Sequence, residues 1–367
     1  MDGIRGLAIL LVLIWHFAIC RYVPPPNSIL SLVWSLFGTA WSGVDLFFVL
    51  SGFLIGGILL KHRESPCYFK TFYIRRICRI FPPYFFVLLL FYLGVALDLA
   101  EKGEAFKWLF QNPLPFWSYA TFTQNFVMLQ QGDYGAAAVG VTWSLAVEEQ
   151  FYLLFPLTIR YVPARGLPYL LIGGILLAPI CRIALSMHHP ATPAAGGFFM
   201  MPGRADALML GALAAYAFHS RRIFAALMKN REVFYTVFMF LAAGVVAMNF
   251  MMPDSGSPGM TYWGRSLLAL FFVSLLFLPL LNPHGFFAAF LRTRWLRELG
   301  IVSYGVYLLH QLVFGLLSGI AFRNPNTSAA SNLMLGFGAV ALTIGIAFAM
   351  YHLLEKPILR IGKGYQF

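Results

Sequence analysis

Of the 367 residues, 60% are hydrophobic and 11% charged, where a soluble domain is about half apolar and a quarter charged. That excludes a soluble enzyme and marks a polytopic membrane protein. The net charge of +12 does not point to nucleic acid, because Lys and Arg fall in short clusters between apolar spans, the positive-inside pattern.

The first span, 3–20, lacks a small-residue cleavage site and carries polar groups, so it reads as a retained helix. It holds Arg5 and His16 eleven residues apart, R-x10-H. At ~100° per residue the two return to within roughly 20° of one helix face, about 16 Å apart along the axis. A charge in hydrocarbon costs on the order of 2.5–3.5 kcal/mol, and such residues face a cavity or a partner. Singly, Arg5 reads as an arginine snorkelling to headgroups and His16 as a carbonyl-capped histidine. As a pair on one stripe they read as a site.

After the proline-rich loop RYVPPPNS, the clean second span is 43–60, which delivers KHR and then Arg75, Arg76 and Arg79. This densest basic cluster predicts a cytoplasmic face there, with the N-terminus on the same side. The third span is 81–97. Residues 114–131 are apolar but dotted with Ser118, Thr121, Thr123, Gln124 and Asn125, and read as a partial or surface-lying segment. Further spans follow at about 144–162, 167–187, 204–219, 233–252, 266–282, 300–321 and 333–354. The expectation is an all-α bundle of about ten transmembrane helices, both termini cytoplasmic, forming one domain over 1–367. Cys20, Cys67, Cys78 and Cys181 show neither disulfide-framework nor metal spacing, so no metal is expected.

In that topology His16, Asp45, Glu148 or Glu149, Arg204 and Asp206 collect in the outer half of the bilayer. A carboxylate beside an imidazole fixes its tautomer and makes it a usable general base. Asp45 is equally explained as a first-turn carboxylate satisfying free N–H groups. Glu148 and Glu149 are adjacent and point to different faces, so one is free to pair with Arg204. Arg75, Arg76 and Arg79 fall on one short helical turn ahead of the third span, where they serve as topology anchors. With Arg5 they also make a phosphate cradle, because guanidinium forks suit phosphate. Tyr304 and Tyr307 share a face able to line a cavity. His310 reads as a packing histidine and stays outside the catalytic set. The residues sketch cations inside and a histidine-centred cluster further out, with no donor named.

Six stretches in order carry a resemblance: DGIRGLAILLVLIWH (2–16), GVDLFFVLSGFLI (43–55), RRICRIFPPYF (75–85), TWSLAVEEQFYLLFP (142–156), GRADALMLGALAA (203–215) and SYGVYLLHQLV (303–313). With them the chain resembles the membrane-bound acyltransferase-3 family. The resemblance implies ten core helices in a bacterial inner membrane and acyl transfer from cytoplasmic acyl-CoA, usually acetyl-CoA. The implied acceptor is a hydroxyl of a surface or exported glycan or lipid-linked saccharide, lipopolysaccharide O-antigen included. The family's R-x10-H falls on Arg5 and His16, its RxxR on Arg76 and Arg79, its WSLxxE acid on Glu148, and its Arg before the sixth span on Arg204. His16 is then the catalytic base or a transient acyl carrier, oriented by Asp45 or Glu148. Arg5, Arg75, Arg76 and Arg79 hold the donor, and Arg204, Asp206 and Tyr307 meet the acceptor. The sequence starts almost on the first motif, so its start reads as internal or trimmed, and the expectation is a transmembrane unit without the extracytoplasmic hydrolase-like domain that some relatives carry. The rival readings are acylation of a lipophilic small molecule such as a macrolide, and a proton-coupled transporter or flippase. Loops HHPATPAAGG and PDSGSPG are candidate acceptor contacts.

Overall fold

Backbone N–H and C=O groups in hydrocarbon must be satisfied within the segment that carries them, which favours helices throughout an apolar chain. The computed structural model describes residues 1–20, 24, 27–188, 197–252, 254–321 and 329–367, and among these residues it contains helices and no strand. Ten long helices form the frame. They are α1 (Asp2–Ile14, continued as a π-helix over Trp15–Ile19), α2 (Gly43–Lys61), α3 (Tyr68–Ala96) and α4 (Trp143–Tyr161). Next come α5 (Leu167–His188), α6 (Met201–His219) and α7 (Arg231–Met251). Last are α8 (Arg265–Leu281), α9 (Arg294–Ala321) and α10 (Ala329–Met350), which runs on through a π-turn into Lys356–Lys363. Eight of these segments are long and apolar enough to cross a membrane. The other two, α4 and α6, fall short because they carry Glu148, Glu149, Arg204 and Asp206.

Burial separates core from rim. The apolar stretch of α9 is 83% buried and that of α7 is 11%, so α9 is central and α7 peripheral. Exposed Val233, Met239 and Phe240 on α7 suit contact with lipid tails. The core pairs are α1 with α9 and α2 with α6, and small residues let their backbones meet. A Cβ on Gly52 of α2 would stand 1.9 Å from the Leu208 carbonyl oxygen of α6, and one on Gly211 of α6 would stand 2.0 Å from the Val49 carbonyl of α2. No side chain fits at either position.

One expectation needs correction. The basic run 75–79 is not a separate turn before the third span but lies inside the 29-residue α3, which starts at Tyr68. Pro82 and Pro83 sit within it without ending it. The Tyr304 hydroxyl of α9 donates to the Ile80 carbonyl just ahead of them at 3.0 Å, tying this part of α3 to α9. Residues 114–131 are a partial segment, as expected, with Phe116, Trp117 and Phe126 exposed and other positions buried. They form short helices, Phe116–Ala120 and Gln124–Gln131, the longer about 12 Å, far short of a ~30 Å hydrocarbon core. Gln124 and Asn125 are fully buried, their amides donating to the carbonyls of Thr142 (2.9 Å) and Phe199 (3.1 Å). Of the candidate acceptor loops, residues 189–196 and Pro253 lie outside the described residues.

Candidate active site

Three cavities sharing wall residues run through the bundle. The first, of about 250 Å³, is walled by Arg5, Arg75, Arg76, Arg79, Leu359, Gly362 and Lys363. It therefore lies where the start of α1 meets the last helical turns of the chain. Arg5 pairs with Asp2 at 3.0 Å and Arg79 with the buried Glu355 at 3.6 Å. Nε and Nη2 of Arg75 donate to the Tyr365 carbonyl. The buried Nε of Arg76 has no hydrogen-bond partner. The mouth thus sets five cations against two carboxylates and keeps guanidinium capacity in reserve, which suits an oligo-anion such as phosphate.

Arg5, Arg76 and Arg79 also wall the second cavity, a narrow chamber of about 120 Å³. Its other polar walls are Ser51, Ser144, Glu148, Tyr152, Ser303, Tyr304 and Tyr307. Ser51 and Tyr152 hydrogen-bond each other, and the Tyr307 hydroxyl meets Ser144 at 2.7 Å and the Val141 carbonyl at 3.0 Å. Val44 and Tyr307 are shared with the third cavity, a vestibule of about 650 Å³. Its walls include His16, Asp45, Arg204 and Gln311 among Trp15, Trp41, Trp108, Tyr134, Trp143 and Phe198. The narrow chamber, the throat, shares walls with both the cationic mouth and the aromatic vestibule.

His16 stands in the π-helical end of α1, and π-turns inside helices recur at functional sites. Its Nδ1 lies 2.9 Å from the Val12 carbonyl. A carbonyl only accepts, so Nδ1 carries the proton and Nε2 is the basic nitrogen in the neutral ring. The ring packs on His310 of α9 with centroids 4.8 Å apart. His310 is fully buried; its Nδ1 donates to the Tyr307 carbonyl at 2.6 Å, and its Nε2 has no hydrogen-bond partner.

The chain matches the family model of an acyltransferase domain, acyltransferase-3, over residues 1–352. The chain belongs to the acyltransferase-3 family. Among its relatives, the putative peptidoglycan O-acetyltransferase YrhL of Bacillus subtilis is 26% identical over 376 residues, 99% of this chain and 55% of that protein. The O-acetyltransferase OatA of Staphylococcus aureus is 26% identical over 379 residues, all of this chain and 58% of the relative. The peptidoglycan O-acetyltransferase OatA of Listeria monocytogenes is 24% identical over 99% of this chain and 56% of its own length. The chain thus spans little more than half the length of these relatives. No solved structure matches it.

In this acyltransferase-3 chain the residues singled out from the sequence divide among the cavities. Arg5, Arg75, Arg76 and Arg79 do share one mouth. His16, Asp45, Arg204 and Tyr307 share the vestibule. Glu148 lines the throat with Arg5 and Arg76, and is not among the vestibule walls that hold His16. The expected Glu148 or Glu149 pairing to Arg204 is replaced by Asp45, whose Oδ1 accepts from Arg204 Nη2 at 2.6 Å. The tautomer-fixing contact on His16 Nδ1 comes from Val12, where Asp45 or Glu148 was expected. Asp206 is occupied: Arg182 and Ser266 both donate to its Oδ2, at 2.8 and 2.6 Å, and the Ala207 N–H to its Oδ1. It therefore reads as a structural partner of the fully buried Arg182.

Sequence reasoning placed His310 among packing residues. The structure sets it against His16, a proximity that only the α1–α9 packing creates; its one sequence-level signal was its place in the SYGVYLLHQLV stretch. Ser51 and Tyr152 of the throat, and the buried Arg182 and Arg265, were not singled out at all.

Proposed function

We propose that this chain is a membrane O-acyltransferase that takes an acyl group, acetyl in the simplest case, from acyl-CoA at the arginine mouth. It delivers that group to a glycan hydroxyl in the His16 vestibule. The observation that carries this reading is the run of three cavities with shared walls, linking a phosphate-type site to a histidine. The nucleotide phosphates bind Arg5, Arg76 and Arg79, and the thioester arm threads the throat between Arg76 and Tyr307. The acceptor lies against the aromatic walls beyond, whose flat faces suit the C–H faces of a sugar ring.

His16 Nε2 takes the proton of the acceptor hydroxyl as its oxygen attacks the thioester carbonyl. The C–S bond breaks, the acyl group forms an ester, and the His16 imidazolium returns its proton to the leaving thiolate, which restores the neutral base. His310 packs against the His16 ring and holds its orientation. The same residues allow an acyl-His16 intermediate. The peptidoglycan O-acetyltransferase relatives favour a cell-envelope glycan acceptor over a macrolide. The positive-inside bias supports a mouth toward the cytoplasm and a vestibule toward the outside of a bacterial inner membrane.

The test is acetyl-CoA binding and turnover by purified protein, wild type beside His16→Ala and Arg76→Ala. The reading requires turnover without loss of binding to fail in His16→Ala, and binding to fail in Arg76→Ala. Folded wild type that binds no acyl-CoA overturns it and moves a transporter ahead.

A further inference from the structure

Asp45 and Arg204 line the vestibule, and Arg265 lies directly behind its walls, against Trp41, Phe198 and Ser255, with Arg182 and Asp206 buried nearby. Arg182 is matched by Asp206 and Arg204 by Asp45. Arg265, 2% exposed, makes no ion pair among the described residues; its Nη2 donates to the carbonyl of Ser255, a vestibule wall residue. Arg204 and Arg265 both stack on the Phe198 ring, at 5.7 and 4.7 Å from its centroid. Phe48 and Trp143 also face Arg204, and Trp41 also faces Arg265. These rings contact guanidinium faces but leave the in-plane N–H groups unanswered. Three such nitrogens are buried without an acceptor: Nε and Nη1 of Arg204 and Nη1 of Arg265. Asp133, the vestibule's other acid, makes no ion pair with either arginine among the described residues. Two buried guanidiniums sharing one carboxylate inside a membrane bundle are costly unless an anion joins them. Asp45 Oδ2, also unpartnered, is left to accept from a hydroxyl.

We propose that the Arg204–Arg265 pair is an oxyanion-binding subsite of the vestibule, so that the acceptor is an acidic saccharide. Its carboxylate or phosphate sits on the arginine N–H groups, Asp45 Oδ2 takes a neighbouring hydroxyl, and His16 meets the hydroxyl to be acylated. This rests on the acceptor-side reading of the vestibule. The anion has two sources, a carboxylate on the sugar or the phosphate that links a saccharide to a lipid.

The experiment measures binding to the purified full chain by calorimetry, with glucuronate, glucose 1-phosphate and neutral glucose as probes. Wild type is compared with Arg265→Gln, Arg265→Lys and Arg76→Gln. Charge-assisted hydrogen bonds of this kind predict at least one anionic probe binding roughly ten-fold or more tighter than glucose. That preference disappears in Arg265→Gln, is partly kept in Arg265→Lys and persists in Arg76→Gln. A preference for glucuronate identifies a sugar carboxylate, and one for glucose 1-phosphate a lipid-linked phosphate. Equal binding of all three probes by wild type overturns the proposal whether or not any variant folds. So does a preference that survives Arg265→Gln or vanishes in Arg76→Gln, which places the anion at the mouth. The assay needs no acyl donor. Anion selectivity without acyl-CoA turnover therefore sinks the acyl-transfer reading alone, and turnover without anion selectivity sinks this subsite alone.

Discussion

The two ends of the cavity system handle charge in opposite ways. At the mouth, four arginines and a lysine crowd together in half-exposed positions and are partly neutralised by Asp2 and Glu355. At the vestibule end, Asp45 and Arg204 are buried and paired, Arg265 and the Arg182–Asp206 pair are buried beside them, aromatic rings fill the space between, and Asp133 alone of these acids and arginines is exposed. A half-exposed cluster of one sign attracts a diffusing polyanion and is screened by salt. A buried, paired cluster holds geometry and is insensitive to salt. In the proposed function one end captures and the other places.

His16→Ala breaks the placement end most directly. Loss of a positioned general base lowers turnover by about a hundred- to ten-thousand-fold, while acyl-CoA affinity, measured by calorimetry, stays unchanged. Equal loss of binding and turnover would erase the division of labour between the two ends. Next in size is Asp206→Ala, which leaves Arg182 uncompensated at 0% exposure. Removing one partner of a buried pair costs about 3–5 kcal/mol, to be read as a large drop in the thermal midpoint in detergent. A midpoint unchanged from wild type would return Asp206 to the acceptor-binding set.

Arg76→Ala acts on the capture end. Deleting charge-assisted hydrogen bonds to phosphate weakens acyl-CoA binding by roughly ten- to a hundred-fold, with turnover at saturation largely kept. His310→Gln sits on the boundary of chemistry and packing. If His310 only fills space, the pH dependence of turnover stays put; as the residue that orients His16, its loss displaces that profile and lowers turnover about ten-fold, less than loss of the base itself. The smallest effect is that of salt. Raising ionic strength from about 0.01 to 0.15 M shortens the Debye length from ~30 to ~8 Å, so KM for acyl-CoA rises several-fold while KM for the acceptor holds. Parallel rises in both constants would show that the vestibule charges are solvent-exposed.

Much of this arrangement was legible in the residues, because lipid simplifies the problem. Apolar length locates helices when hydrogen bonds must close within each segment, and the helices at 43–61, 167–188 and 231–251 fall where apolar runs predict them. The R-x10-H spacing made Arg5 and His16 lie along one stripe, and it puts them in cavities at opposite ends of a common path. The arginines of one helical stretch also had to be neighbours, since i,i+4 geometry is local.

Contacts between helices are what the sequence left open. A helix fixes which face a residue occupies but not which helix lies opposite: Asp45 and Glu148 had equal claims on His16, and Arg204 was expected to pair with Glu148 or Glu149. The close approach of α2 and α6 at Gly52 and Gly211 brings Asp45 to Arg204 and leaves Glu148 with Arg5, Arg76, Ser51 and Tyr152 in the throat. The packing of α1 on α9 likewise turned His310 from a buried histidine into the neighbour of His16. The residues by themselves determined the helices, their polar stripes and the ordering of charge along the bundle. Only the tertiary packing decided which stripes face each other, because a partner's distance depends on how near small residues let two backbones come.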